Sequence, residues 1–90
     1  MSVPAQPRVE VYSTSTCADC IRSRRFLEAH GFAYAFHDIA DDPALAQFVQ
    51  AANARLGVPR LMRIPVIMVG ERLLSEPSDA ELAAALGVEL

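Results

Sequence analysis

The chain has 90 residues, 52% of them hydrophobic and 21% charged, with a formal net charge of -3. That is the length of one small domain, too apolar for an intrinsically disordered chain and lacking the basic surplus of a nucleic-acid-binding surface. Two cysteines are too few for a secreted disulfide scaffold, and the longest apolar run falls well short of a membrane span.

The segment Met1-Ser2-Val3-Pro4 carries neither a basic region nor an apolar run, so no signal peptide is expected and a cytoplasmic location is. Residues 1–7 hold two prolines and read as a disordered lead, with residues 8–90 forming a single domain. Val9-Glu10-Val11-Tyr12 alternates apolar with polar, the period of a half-buried strand running from Val9 to Ser13. Cys17 to His30 has no proline or glycine and is rich in helix formers, so it reads as a helix closed by Gly31. Phe32, Tyr34 and Phe36 alternate with Ala33, Ala35 and His37, which predicts a second strand ending near Asp38-Ile39.

Asp41-Asp42-Pro43 is a helix start: an acidic cap, then proline at the first helical position. Leu45, Phe48, Val49, Ala52 and Leu56 follow on one helical face, and Gly57 stops that helix. Val58 to Arg63 reads as a loop. Ile64-Pro65-Val66-Ile67-Met68-Val69 is the strongest candidate for a core strand, with Gly70-Glu71 as a tight turn and Arg72-Leu73-Leu74 as the return strand. Ser78-Asp79-Ala80-Glu81 is a capping box that opens a last helix, which Gly87 ends after Leu86. The predicted order is βαβαββα. A strand–helix–strand unit gives a parallel pair and a hairpin adds antiparallel ones, so the fold class is α/β, with a four-stranded mixed sheet flanked by three helices.

The only two cysteines, Cys17 and Cys20, stand two residues apart where the first strand gives way to the first helix. That setting suits thiol–disulfide exchange. The thiolate is the attacking species, and the unpaired backbone N–H groups of a helix N-terminus favour negative charge on Cys17. The like charge of Asp19 opposes this. Cys20, three residues on, faces the same side of the first helical turn and acts either as the resolving thiol or as a small core residue, or as both. Two cysteines cannot fill a four-ligand zinc site, and His30 and His37 match no zinc spacing; both histidines read as surface or strand-edge residues.

Tyr12 to Cys20, the basic segment Arg22 to Arg25, and Arg63-Ile64-Pro65 together resemble a glutaredoxin of the thioredoxin superfamily. The resemblance runs from Val9 to Leu86. Leu74-Ser75-Glu76-Pro77-Ser78 is similar to the matching run of the mycothiol-linked glutaredoxins, the mycoredoxins. There are two departures from the family pattern. Asp19 stands where an aromatic residue is usual, and Ser75-Glu76 stands where many members have a Gly-Gly pair.

The resemblance implies a thioredoxin-like (glutaredoxin) fold. It also implies that Pro65 is a cis proline facing Cys17, with the backbone of Ile64 turned toward an extended substrate. The residues alone leave Val58-Pro59 as a competing site, and a trans Pro65 opening an edge strand as an alternative. In that fold Arg22, Arg24 and Arg25 approach Cys17 from one side and Arg60 and Arg63 from the other. Arg22 and Arg63 are the best candidates to take the carboxylates of a small thiol or an acidic protein surface; the alternative is a solvated helix face. Ser78 and Asp79 occupy the place where glutaredoxins bind the amino end of glutathione, although the capping box accounts for Ser78 unaided. Tyr12 packs beside the site or is a core tyrosine.

The implied activity is reduction of protein disulfides or of mixed disulfides. Glutathione or mycothiol would be the small-thiol co-substrate, and no bound cofactor is expected. Expected partners are disulfide-containing or thiolated proteins, with no nucleic acid or membrane, and the chain is expected to act as a monomer. Two alternatives carry over from the resemblance. One is a donor recharged by thioredoxin reductase, for example to ribonucleotide reductase. The other is a non-enzymatic carrier of an iron–sulfur cluster held between two protomers with external thiols.

Overall fold

The computed structural model describes residues 7–89, so the expected disordered lead lies, apart from Pro7, outside the described residues. The elements follow the order β1 (Val9–Ser13), α1 (Ala18–Ala29), β2 (Ala35–Asp38), α2 (Pro43–Arg55), β3 (Val66–Val69), β4 (Arg72–Ser75) and α3 (Asp79–Leu86). The strands form one sheet in the order β2-β1-β3-β4. β1 runs parallel to β2, with Glu10 opposite Ala35, and antiparallel to β3, with Tyr12 opposite Val66. β3 and β4 are the antiparallel hairpin, with Val66 opposite Ser75.

The helix caps are written into the sequence. The side chain of Asp42 accepts the amides of Ala44 and Leu45 at 3.1 and 3.2 Å, and Pro43 has no amide to satisfy. Ser78 and Glu81 form the reciprocal capping box, each side chain taking the other's backbone N–H at 3.1 Å. Gly87 closes α3 in the left-handed conformation, φ 73.

Alternation along β1 splits the core in two. Val9 and Val11 face Phe26 and Leu27 of α1 and Leu82, Ala83 and Leu86 of α3, with Ile67, Val69 and Leu74 from the hairpin. Tyr12 and Val66 face the other way, toward Val49 and Ala52 of α2. Fully buried side chains such as Leu27, Ile67 and Leu82 each contribute about 1.5–3 kcal/mol of hydrophobic stabilisation. They fix α1 and α3 to one face and α2 to the other.

The helix expected over Cys17–His30 runs Ala18–Ala29, with those two residues as its caps, and three strand boundaries also differ from the sequence reading. β2 starts at Ala35 rather than Phe32, because the Phe32 amide is taken by the Leu27 carbonyl at the end of α1, at 2.9 Å. Phe32, Tyr34 and Phe36 still pack on the α1–α3 side, so their alternation reports facing, not strand pairing. β3 starts at Val66, after Ile64 and Pro65, and β4 runs one residue further than expected, to Ser75. Leu56 is not on the core face of α2; it caps the helix C-terminus and is 42% exposed.

Candidate active site

β1 ends at Ser13, and the chain turns through residues 14–16 into α1, so Cys17 falls at the N-cap of that helix. A side-chain oxygen usually fills this position. Here the sulfur of Cys17, a half-buried residue, does so, accepting the backbone N–H of Cys20 at 3.4 Å. A negative charge is favoured where helix amides converge.

Cys20 lies on the inner side of α1 and is fully buried. Burial pushes its thiol up to about 12, and the hydrogen bond it makes to the Cys17 sulfur pushes the same way. Hydrogen bonds from the Ser13 hydroxyl and the Thr14 backbone oppose the rise. A thiol raised this far holds its proton at neutral pH. Ser13 is itself fully buried at the C-terminal end of β1. The odd-numbered register that places Val9 and Val11 against α1 also puts Ser13 there.

The second wall comes from β3. Tyr12 opposite Val66 brings the Ile64–Pro65 peptide to the same end of the sheet as the turn before Cys17. That peptide is cis, as expected for Pro65, with Pro65 buried and Ile64 half-buried.

The third wall is the segment between β4 and α3. Glu76 has φ 45, a left-handed conformation that side-chain-bearing residues rarely adopt. Its amide donates to the Pro65 carbonyl at 2.7 Å, extending the β3–β4 ladder by one bond. Arg63 Nε donates to the Glu76 carboxylate at 2.8 Å. That hydrogen bond is the main reason the Glu76 carboxyl is held below the usual range; desolvation opposes it, and the charges of Arg63 and Arg60 add to it. Arg22 donates to the Asp79 carboxylate and, at 2.8 Å, to the Pro77 carbonyl, with Asp19 3.7 Å from its Nε.

Three carboxylates, Asp19, Glu76 and Asp79, thus face two guanidiniums, Arg22 and Arg63, around the helix start. Arg22 and Asp79, both predicted to hold a small thiol, hold each other, and Arg63 holds Glu76. The Ser78 hydroxyl is taken by the cap of α3. Tyr12 stacks on His37, ring centroids 4.6 Å apart, and meets Phe48 at 4.4 Å, so it sits in the core on the α2 side. The Arg24 guanidinium lies 4.6 Å over the ring of Phe36, while Arg25 is exposed.

Asn53 was not singled out in the sequence, and Ser13 and Glu76 entered only as members of longer runs. Asn53 is fully buried and bridges the loop before Pro65 to Ser75. Its position four residues after Val49, on the apolar face of α2, was the available signal. The Gly-Gly pair that Ser75-Glu76 replaces was the available signal for the left-handed backbone of Glu76; nothing local marks a role for Ser13.

A four-stranded β2-β1-β3-β4 sheet, with a cysteine pair at the β1–α1 junction and a cis proline entering β3, defines the thioredoxin-like class of fold. Solved structures agree. The glutaredoxin Grx-1 of Archaeoglobus fulgidus superposes with a TM-score of 0.69 at 20% identity, over 88% of this chain and 85% of that one. The dithiolic glutaredoxin 2-C-Grx1 of Trypanosoma brucei brucei gives 0.66 at 21% identity, over 90% and 80%. The glutaredoxin-like NrdH-redoxin of Escherichia coli gives 0.59 at 24% identity, over 76% and 80%. No curated protein sequence matches. The glutaredoxin family model matches residues 9–74, and the chain belongs to the glutaredoxin family. Membership supports a thiol redox function.

Proposed function

We propose that this protein is a cytoplasmic dithiol oxidoreductase of glutaredoxin type, reducing protein disulfides or mixed disulfides through Cys17 and Cys20. The observation that carries this reading is the half-buried Cys17 at the α1 N-cap, its sulfur accepting the backbone N–H of the buried Cys20.

Cys17 attacks one sulfur of the substrate disulfide as a thiolate. An S–S bond forms to Cys17, the substrate S–S bond breaks, and the leaving sulfur takes a proton. Cys20 then loses its proton and attacks the Cys17 sulfur. The second substrate thiol leaves, and the two-electron oxidation ends as a Cys17–Cys20 disulfide. Two molecules of a small thiol, glutathione or mycothiol, restore the dithiol and become a disulfide themselves. The Ile64–Pro65 backbone and the arginine-bearing walls form the face against which the substrate rests.

A second reading changes only the electron source to thioredoxin reductase. It is favoured by the internal pairing of Arg22 and Arg63, which leaves neither cation free for the carboxylates of a small thiol. It is also consistent with the NrdH-redoxin likeness, a protein described as having a thioredoxin-like activity profile. Turnover of a mixed-disulfide substrate, compared across glutathione, mycothiol and NADPH with thioredoxin reductase, tests both readings. Turnover with a small thiol supports the first, and NADPH consumption without one supports the second. Absence of turnover in every system contradicts both.

A further inference from the structure

The one asparagine whose side chain is fully buried lies away from the cysteines, on α2. Asn53 donates from its amide nitrogen to the Leu61 carbonyl at 2.7 Å and to the Arg63 carbonyl at 2.9 Å. Its oxygen accepts the Ser75 hydroxyl. The two backbone carbonyls can only accept, so the amide nitrogen must face them and its oxygen must face Ser75. One side chain thereby ties together α2, the loop before Pro65, and the last residue of β4.

Both tied segments lead directly into the site. Arg63 immediately precedes the Ile64–Pro65 peptide, and its guanidinium binds Glu76. Ser75 immediately precedes Glu76, whose amide binds the Pro65 carbonyl. Apolar packing does little for the tip of the loop, where Leu61 and Met62 are 43% and 46% exposed; its other ties are polar, from Gln50 to the Met62 sulfur at 3.2 Å and from Arg63 to Glu76. A buried amide with three bonds supplies the fixed point that apolar contact does not.

We propose that Asn53 is a positioning residue for the substrate-binding face, fixing the Ile64–Pro65 backbone and the Ser75–Glu76 turn relative to one another. This assignment rests on the oxidoreductase reading above. Asn53 touches neither reacting sulfur. Its loss should therefore impair the docking of a disulfide-bearing protein while leaving the thiol chemistry of Cys17 intact.

The test compares wild type with N53A, S75A and S75T. Dithiothreitol drives reduction of a disulfide-bearing protein substrate, and alkylation of Cys17 by iodoacetamide is measured separately. N53A is expected to lose about 10- to 100-fold in kcat/KM, mainly through KM, as a displaced binding surface does. S75A should lose a smaller part of this, and S75T, which keeps the hydroxyl, should restore it. Cys17 alkylation should stay at the wild-type rate throughout. If N53A does not fold, the S75A and S75T pair decides the question. Wild-type kcat/KM in N53A or S75A, or alkylation that falls in step with turnover, overturns the assignment while leaving the enzyme reading intact. A wild-type chain that turns over no disulfide overturns both.

Discussion

The backbone amide of Cys20 donates to the sulfur of Cys17 across 3.4 Å, while the Cys20 side chain is fully buried. The second cysteine therefore supports the first through its backbone. That contact follows from placing Cys17 at the N-cap and Cys20 at the third helical residue of α1. An added or removed residue between them would break it.

The asymmetry of burial predicts asymmetric labelling. Cys17 is half-exposed, and Cys20 is fully buried with its thiol pushed up to about 12. Iodoacetamide at neutral pH should add a single carbamidomethyl group to the reduced native protein, located by peptide mass spectrometry on Cys17. Both cysteines should react once the chain is unfolded.

The raised Cys20 value also sets a pH dependence of stability. Its pKa in the folded protein lies above the unfolded reference of 9.0, so the native state holds a proton that the unfolded state releases. That contribution is complete below about 9 and is lost as pH rises through about 12. Denaturant midpoints of the reduced protein should fall over this interval, and C20A should show a shallower fall. Tyr12, raised by burial, adds a slope of the same sign that remains in the variant.

Glu76 makes opposing contributions to stability. Its ion pair with Arg63 is part-exposed and is worth about 0–1 kcal/mol. Its left-handed backbone costs a residue with a side chain about 1–2 kcal/mol. E76A removes the pair and keeps the strain, whereas E76G removes both. E76G should therefore be about 1 kcal/mol more stable than E76A in chemical denaturation. E76Q should flatten the acid limb, because a lowered carboxyl pKa gives stability that is present above 4.5 and lost as pH falls further.

The same pairs shape any encounter with an anionic thiol. A carboxylate-bearing co-substrate must displace Glu76 to reach Arg63 and Asp79 to reach Arg22. E76Q should raise kcat/KM for glutathione and leave kcat/KM for uncharged dithiothreitol unchanged, a difference steady-state kinetics at low salt will read.

Most of the fold was legible because its signals are local. The cap at Asp42, the box at Ser78–Glu81 and the alternation of Val9 and Val11 each depend on neighbours in sequence. The β2 boundary was not, because Leu27 competes for the Phe32 amide across the helix end. In the site, the cysteine spacing identified Cys17 and Cys20, and the structure places both at one helix start. The Arg22–Asp79 pair joins residues far apart in the chain, so no spacing rule reveals that the two neutralise each other. The same holds for Glu76 with Arg63, which depends on which strand end meets which turn.

The most direct measurement is trapping of the mixed disulfide. Wild type, C17S and C20S are each exposed to a disulfide-bearing protein substrate, quenched with acid and resolved by mass spectrometry. C20S should accumulate a covalent adduct through Cys17, C17S should form none, and wild type should pass through to its internal disulfide with release of reduced substrate. An adduct on Cys20 in C17S at a rate matching C20S would contradict the assignment of attacking and resolving sulfurs.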